Sequence, residues 1–324
     1  MFNLFLVAFA AGLLLGFSCL FLSRRASFLK GILMDKATGV SKIGGVGLVL
    51  SFFLAIYLFG APWFLYVAFG LTFLLGVFDD IFVLSPFKKL SAQVVIALFL
   101  AFAGVRTDII FVPPALNVLI TVAWIVVLMN AFNFLDILDG LAAGLGVITS
   151  LAFFFVAYRT HNYMVMALAL SLLGSDLCFL WFNFPRARLY MGDTGSLFNG
   201  VVFASMAIML SYAPHGREMA LLTPLLILAL PIYDFIFLIV MRFKAGRPLT
   251  QKSRDHFVLR FLGRGFTTLQ AVLLMFLFNA LFCAAAVLFL ESSGSPAAGV
   301  LLFIFSVGAW LFAAHKLSSV KVNR

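Results

Sequence analysis

The chain has 324 residues, of which 64% are hydrophobic and 10% charged, with 41 phenylalanines, a mean hydropathy of +1.16 and a formal net charge of +10. A water-soluble chain could not hide that much apolar surface in one or two cores, so the soluble classes are excluded and an integral membrane protein is expected. Cys19, Cys178 and Cys283 fall within apolar stretches at unrelated spacings, which excludes a disulfide framework or a zinc site and leaves them as small packing residues.

In chain order, eleven apolar stretches are long enough to be helices crossing a hydrocarbon core of roughly 30 Å. They are Phe2–Leu22, Gly44–Phe59, Pro62–Val77, Ser91–Gly104, Leu116–Phe132, Leu141–Tyr158, Tyr163–Phe182, Leu197–Tyr212, Met219–Met241, Thr268–Leu290 and Ala297–His315. The second to fourth are short or closely spaced, so ten is the alternative number. The fold class is therefore all-α: a polytopic membrane protein of 10–11 transmembrane helices forming a single domain over residues 1–324. The first stretch has no basic region ahead of it and Arg24-Arg25 behind it, and so reads as an anchor rather than a cleaved signal peptide. Gly12-Leu-Leu-Leu-Gly16 matches a small-xxx-small helix contact and raises the expectation of a homodimer.

Lysine and arginine resist translocation, so their distribution orients the chain. Nineteen of the 22 lie in alternate loops on one side, and only Arg106, Arg159 and Arg217 lie on the other. The N-terminus is thus expected outside, the C-terminus and the basic loops in the cytoplasm, and the basic charge to serve topology and phosphate rather than nucleic acid.

Only twelve acids exist, and seven fall on the cytoplasmic side: Asp35, Asp79, Asp80, Asp136, Asp139, Asp193 and Asp255. Five of these close or open apolar stretches, in GVFDDIFVLSPFKKL, NFLDILDGL and MGDTGS. Carboxylates converging beside lysines suit Mg²⁺ together with a phosphorylated substrate, because Mg²⁺ takes one or two protein carboxylates and completes its shell with water and phosphate oxygens. An Asp-Asp pair could equally be a solvated helix end, and Asp193 or Thr194 could simply cap the next helix. The run Asn130, Asn133, Asp136, Asp139 is harder to assign to structure alone, since Asn and Asp are poor helix formers and costly near hydrocarbon. At about 100° per residue one helix cannot aim all four inward, so a break or tightened turn is expected near Gly140. Asp176 reads as a buried residue bonded to a neighbouring helix. Asp234, shortly after Pro231, lines a cavity or satisfies backbone groups freed by the proline.

In this order, DD, NAxNxxDxxDGLAxG, FLWFNxPxAxxxMGDxGS and a basic, His-bearing loop, the motifs resemble those of the polyprenyl-phosphate N-acetylhexosamine-1-phosphate transferases. That superfamily includes the phospho-MurNAc-pentapeptide translocase and the undecaprenyl-phosphate GlcNAc-1-phosphate transferases, and the likeness runs from about Asp35 to Arg264. The resemblance implies Mg²⁺-dependent (or Mn²⁺-dependent) transfer of a sugar-1-phosphate from a UDP-N-acetylhexosamine to a polyprenyl phosphate such as undecaprenyl phosphate. UMP would be released at a cleft facing the cytoplasm of a bacterial inner membrane. By motif position it implies Asp193 as metal ligand, with Asp136 ordering the metal shell, and Asp79 and Asp80 acting on the lipid phosphate or supporting the metal. Asn133, Asp136 and Asp139 would hold the nucleotide, Asn183 and Tyr190 would meet the uracil, and Lys42 and Lys89 would contact phosphate.

The chain also departs from the pattern. Ile137 follows Asp136 where a glycine is common, the early loop reads SKIGGVG, and the last loop keeps His256 but has Phe257, Val258 and Leu259 in place of further histidines. Arg254 and His256 remain as binders of phosphate or sugar, with a structural hydrogen bond as the other role for His256. These departures favour initiation of an O-antigen, teichoic acid or capsular glycan over peptidoglycan-precursor transfer. A secondary transporter also has intramembrane acids and Pro-broken helices. Here, however, the acids gather at one face, and no repeat links the two halves.

Overall fold

The computed structural model describes residues 1–25, 33–35, 37–109, 112–210, 223–246, 256–291 and 297–318. They form two compact units, Met1–Ser211 and Tyr212–Arg324. The first holds α1 (Phe2–Arg25), α2 (Gly44–Phe59), α3 (Trp63–Phe82), α4 (Pro86–Phe102), α5 (Pro114–Leu135), α6 (Leu141–Arg159), α7 (Tyr163–Asn183) and α8 (Gly192–Leu210). The second holds α9 (Thr223–Ile227), α10 (Ala229–Lys244), α11 (Phe257–Gly263), α12 (Thr268–Glu291) and α13 (Ala297–Ser318).

Within the described residues, each of the eleven expected stretches is helical, and eight helices are long and apolar enough to cross a membrane. The helices α2 (16 residues), α4 (17) and α10 (16) fall short in length. The ninth stretch, expected as one span, is divided at Leu228 into α9 and α10. Pro231 has no N–H to give the carbonyl of Ile227 and its ring crowds that carbonyl, which accounts for the break.

Local sequence sets the ends that matter for the site. Gly60 closes α2 in the left-handed region at φ 78°, and Pro62 precedes α3. The Ser85 hydroxyl accepts from the Lys88 N–H, and Pro86 opens α4, a cap and N1 pair that starts the helix one turn before Lys89. The helix α5 ends at Leu135 and α6 begins after Gly140 at φ 77°. The polar run is thus split between the end of a helix and a turn, as the helical geometry requires.

Lipid tails are as apolar as leucine, so helices in a membrane associate through close packing rather than burial from water, and small residues permit it. One face of α1 carries Leu4, Ala8, Gly12 and Gly16 at every fourth position. A Cβ on Gly12 would lie 3.0 Å from the Cys178 side chain, and one on Gly16 would overlap the Phe182 ring. The small-xxx-small pair expected to mediate dimerisation is therefore spent inside the chain, on α7. All three cysteines are free and buried, in the packing role expected of them.

The helix α8 is almost wholly buried, packed on α2, α3 and α5. Its Phe198 meets Phe52 edge-on at 5.1 Å and Phe69 at 5.9 Å, contacts of about 0.5–1.5 kcal/mol each beyond their area. Asp176, fully buried on α7, accepts from Asn199 Nδ2 of α8 at 2.8 Å, and Ser51 Oγ bonds Ser175 Oγ at 2.9 Å.

In the second unit an apolar cavity of about 330 Å³ is lined by Leu225, Ala229, Tyr233, Phe289, Val300 and Phe303. Asp234 Oδ1 accepts from the Phe257 N–H at 3.3 Å, so this acid serves the first turn of α11, and His256 Nδ1 lies 3.8 Å from its other oxygen.

Candidate active site

The first unit brings the ends of α3, α4, α5 and α8 together around Lys89. Its Nζ lies 2.8 Å from Asp79 Oδ2, 3.1 Å from Asp193 Oδ1 and 3.2 Å from Asn133 Oδ1. Asn133 Nδ2 donates to Asp193 Oδ1 and, at 2.9 Å, to Ser196 Oγ, which fixes the amide with its oxygen toward the lysine. Asp79 is held from behind: Leu84 N–H donates to its Oδ1 at 2.7 Å. That bond depends on Val83, which takes φ 51° at the end of α3, a left-handed conformation costing a β-branched residue about 1–2 kcal/mol. Two carboxylates are thereby held close together by one ammonium, and the Asp193 side chain is the more open of the two at 30% exposure against 6% for Asp79.

Asp80 has a different task. Its Oδ1 accepts from Asp193 N–H at 3.0 Å, and its Oδ2 accepts from Thr194 N–H at 3.0 Å and Thr194 Oγ1 at 2.7 Å. Asp193 or Thr194 was the alternative reading for a cap of α8. The cap is provided instead by Asp80, from another helix. Both oxygens of Asp80 satisfy donors that the first turn of a helix leaves unpaired, and its negative charge suits that end of the helix dipole. Close approach makes this possible. A Cβ on Gly192 (φ 64°) would lie 2.6 Å from the Asp80 carboxylate, one on Gly76 would run into the Thr194 backbone, and one on Gly45 into Met191 O.

The remaining members of the polar run divide. Asn130 Nδ2 donates to Gln93 Oε1 at 2.7 Å and Val126 O at 2.8 Å, tying α5 to α4. Asp136, half-buried at the end of α5, lies near Asp193, Asp80 and Asp139; burial first, and then those like charges, push its carboxyl up to about 7, while Lys42 opposes them. Asp139 Oδ2 accepts from Ala187 N–H at 3.0 Å.

Asn183 is buried, with its Oδ1 accepting from Gly140 N–H at 2.6 Å and its Nδ2 donating to Leu189 O at 2.8 Å. Expected at the uracil, it has its amide bonded to the backbone on both sides and positions the turn on which Asp139 sits. Tyr190 N–H donates to Ser41 O at 2.8 Å, and Ser41 also bridges to Leu189, so the early loop carrying Lys42 docks on the loop carrying Tyr190. Asp35 stabilises that early loop: its Oδ1 accepts from Ala37 N–H, Thr38 N–H and Thr38 Oγ1 at 2.9–3.0 Å, bonds that hold its carboxyl below the usual range.

Asp79, Asp80, Lys89, Asn133 and Asp193 thus meet directly, and Asp136 joins them electrostatically. Asp139, Asn183, Tyr190 and Lys42 form the adjoining loops. His256 belongs to the second unit, and Arg254 lies outside the described residues. Thr194, anticipated only as a cap, and Ser196 and Gln93, which were not anticipated, also take part. The small residues of MGDTGS were the only signal for the first two, and nothing marked Gln93.

Among the described residues no three His, Cys, Asp or Glu side chains converge as a ready ligand set. The oxygens that do converge are those around Lys89, two carboxylates and an amide, a hard donor set of the kind Mg²⁺ accepts alongside water and phosphate.

Fold and centre together define a polytopic all-α membrane protein with a carboxylate and lysine centre at the start of its most buried helix. Residues 62–211, which contain that centre, match the family model "Glycosyl transferase family 4", and this segment of the chain belongs to that family. The chain is 32% identical over 221 residues (66% of it, 62% of the relative) to a "Probable undecaprenyl-phosphate N-acetylglucosaminyl 1-phosphate transferase" of Bacillus subtilis. It is 33% identical over 255 residues (69% and 63%) to a "Decaprenyl-phosphate N-acetylglucosaminephosphotransferase" of Mycolicibacterium smegmatis. It is 34% identical over 143 residues (40% and 43%) to a "Phospho-N-acetylmuramoyl-pentapeptide-transferase" of Lactobacillus helveticus. The chain spans somewhat under two thirds of the length of the first two relatives.

Proposed function

We propose that this protein transfers an N-acetylhexosamine-1-phosphate from a UDP-sugar to a membrane polyprenyl phosphate and releases UMP. The observation that carries the reading is the fixed set Asp79, Lys89, Asn133 and Asp193, within the segment that matches the family. An oxygen of the lipid phosphate attacks the sugar-bearing phosphorus, the bond from that phosphorus to the UMP oxygen breaks, and UMP leaves with the electron pair. Negative charge gathers on phosphate oxygens throughout, so fixed cations lower the barrier. Mg²⁺, with Mn²⁺ as a substitute, fits the donor set and when bound would neutralise part of that charge; Asp193 would hold it, with the Asp79 and Asn133 oxygens beside it, and Asp136 would order its shell.

The two neighbouring acids then differ in role. Asp79, with one oxygen on a backbone N–H and the other toward the centre, orients the acceptor phosphate or takes its proton. Asp80, with every bond committed to Asp193 and Thr194, is a positioning residue. Lys89 and Lys42 contact phosphates, Tyr190 stacks on the base, and Asp139 and Asn183 shape the loop that presents it.

An N-acetylglucosamine-type donor is favoured over a MurNAc-pentapeptide donor. The two relatives named for N-acetylglucosamine align over 221 and 255 residues, those named for the MurNAc-pentapeptide over 143 to 208. The reaction would begin a cell-envelope glycan at the cytoplasmic face of a bacterial inner membrane, with the N-terminus outside. The test is UMP release by purified protein given undecaprenyl phosphate, Mg²⁺ and a panel of UDP-N-acetylhexosamines. Release with one sugar supports the reading and names the donor; no release with any of them counts against it.

A further inference from the structure

We propose that the Lys89 ammonium sits in the seat of the divalent cation, so that metal and Lys89 compete for the oxygens of Asp79, Asp193 and Asn133. The inference rests on the function proposed above. Its basis is that all three oxygens are aimed at one point while being held from elsewhere. Leu84 N–H fixes Asp79, Asn133 is fixed through Ser196, and the backbone of Asp193 is fixed by Asp80. The Lys89 Nζ lies 2.8, 3.1 and 3.2 Å from the three oxygens, on a long side chain with four rotatable bonds. The seat is rigid and its occupant is mobile.

A divalent cation bound by the same oxygens would approach them to about 2.0–2.1 Å. An ammonium cannot remain against those oxygens beside it without strong like-charge repulsion. Metal entry therefore expels Lys89, and the freed ammonium becomes available to phosphate oxygens. With no phosphate ligand present the lysine returns and opposes the metal. Metal and phosphorylated substrate are thereby coupled, each favouring the other by the same factor. If Lys89 fills the seat about nine-tenths of the time, the apparent metal affinity falls about tenfold.

The experiment is Mn²⁺ binding followed by electron paramagnetic resonance on purified protein without turnover, with and without UMP. Lys89→Met is expected to bind Mn²⁺ about tenfold more tightly than the wild type. UMP should tighten Mn²⁺ binding to the wild type more than to the variant. Lys89→Gln takes its place if the methionine variant melts early. Asp193→Asn is the blank and should lose the site. Unchanged or weaker Mn²⁺ binding in the Lys89 variants, with the site still lost in Asp193→Asn, would overturn the competition and leave the proposed function standing. Wild-type affinity in Asp193→Asn would mean the metal binds elsewhere and would overturn both.

Discussion

The first unit contains two acidic pairings that look alike in sequence, each an Asp on an apolar helix with an Asn partner. At Asp176 the carboxyl has one neutral partner, Asn199, deep between α7 and α8, and a Gly146 Cβ would fall on its other oxygen. At Asp193 the carboxylate shares Asn133 with Lys89, lies against Asp79, and is backed by the Asp80 cap. The first pairing joins two helices through a neutral amide. The second gathers two like charges at one point and needs a cation to do so. An acid in a membrane bundle therefore signals chemistry by its company.

That contrast can be broken most sharply at Asp193. Asp193→Asn should lower UMP release by about 10²–10³-fold, the scale of removing one fixed electrostatic partner, while the protein stays folded in detergent. Next is Asp80→Asn, which replaces one of the two accepting oxygens with an amide NH₂ that faces at least one of the three donors. It should cost about 1–3 kcal/mol in thermal unfolding and lower turnover through the displaced start of α8. Asp176→Asn keeps an oxygen for Asn199 Nδ2, so its cost should be about 0.6 kcal/mol or less, with turnover within about twofold of wild type. A large loss there would erase the distinction between the two pairings.

A pH-dependent effect concerns Asp136. Its folded carboxyl at about 7 lies above the unfolded value of about 3.9, so between those pH values the folded state holds a proton that unfolding releases. Raising the pH through that window should destabilise the metal-free protein. Melting scans in chelator should show the wild type losing ground to Asp136→Asn between pH 5 and pH 8. A constant difference would place Asp136 outside the charge cluster.

The helices were legible because each is a long apolar run ended by Pro, Gly or a cap, and the site was legible because acids are rare enough here to stand out. What the sequence hid was the division of labour. Asp79 and Asp80 are adjacent letters, but one helical step, about 100°, turns Asp80 toward the α8 N-terminus and Asp79 toward Lys89. Asn130 and Asn133 differ in the same way, the first going to Gln93 and the second to Asp193. The Gly12 and Gly16 motif was legible as a contact, but its partner, α7, lies more than 160 residues away and could not be read from spacing. An interruption of the ninth stretch was legible from its prolines, Pro224 and Pro231, and the break falls between them at Leu228.

The most direct test of the account is UMP release measured side by side for wild type, Asp193→Asn and Asp176→Asn, with undecaprenyl phosphate, UDP-N-acetylglucosamine and Mg²⁺. The account predicts release by wild type and Asp176→Asn and none above background by Asp193→Asn. Equal release by wild type and Asp193→Asn, or loss in Asp176→Asn alone, would contradict it.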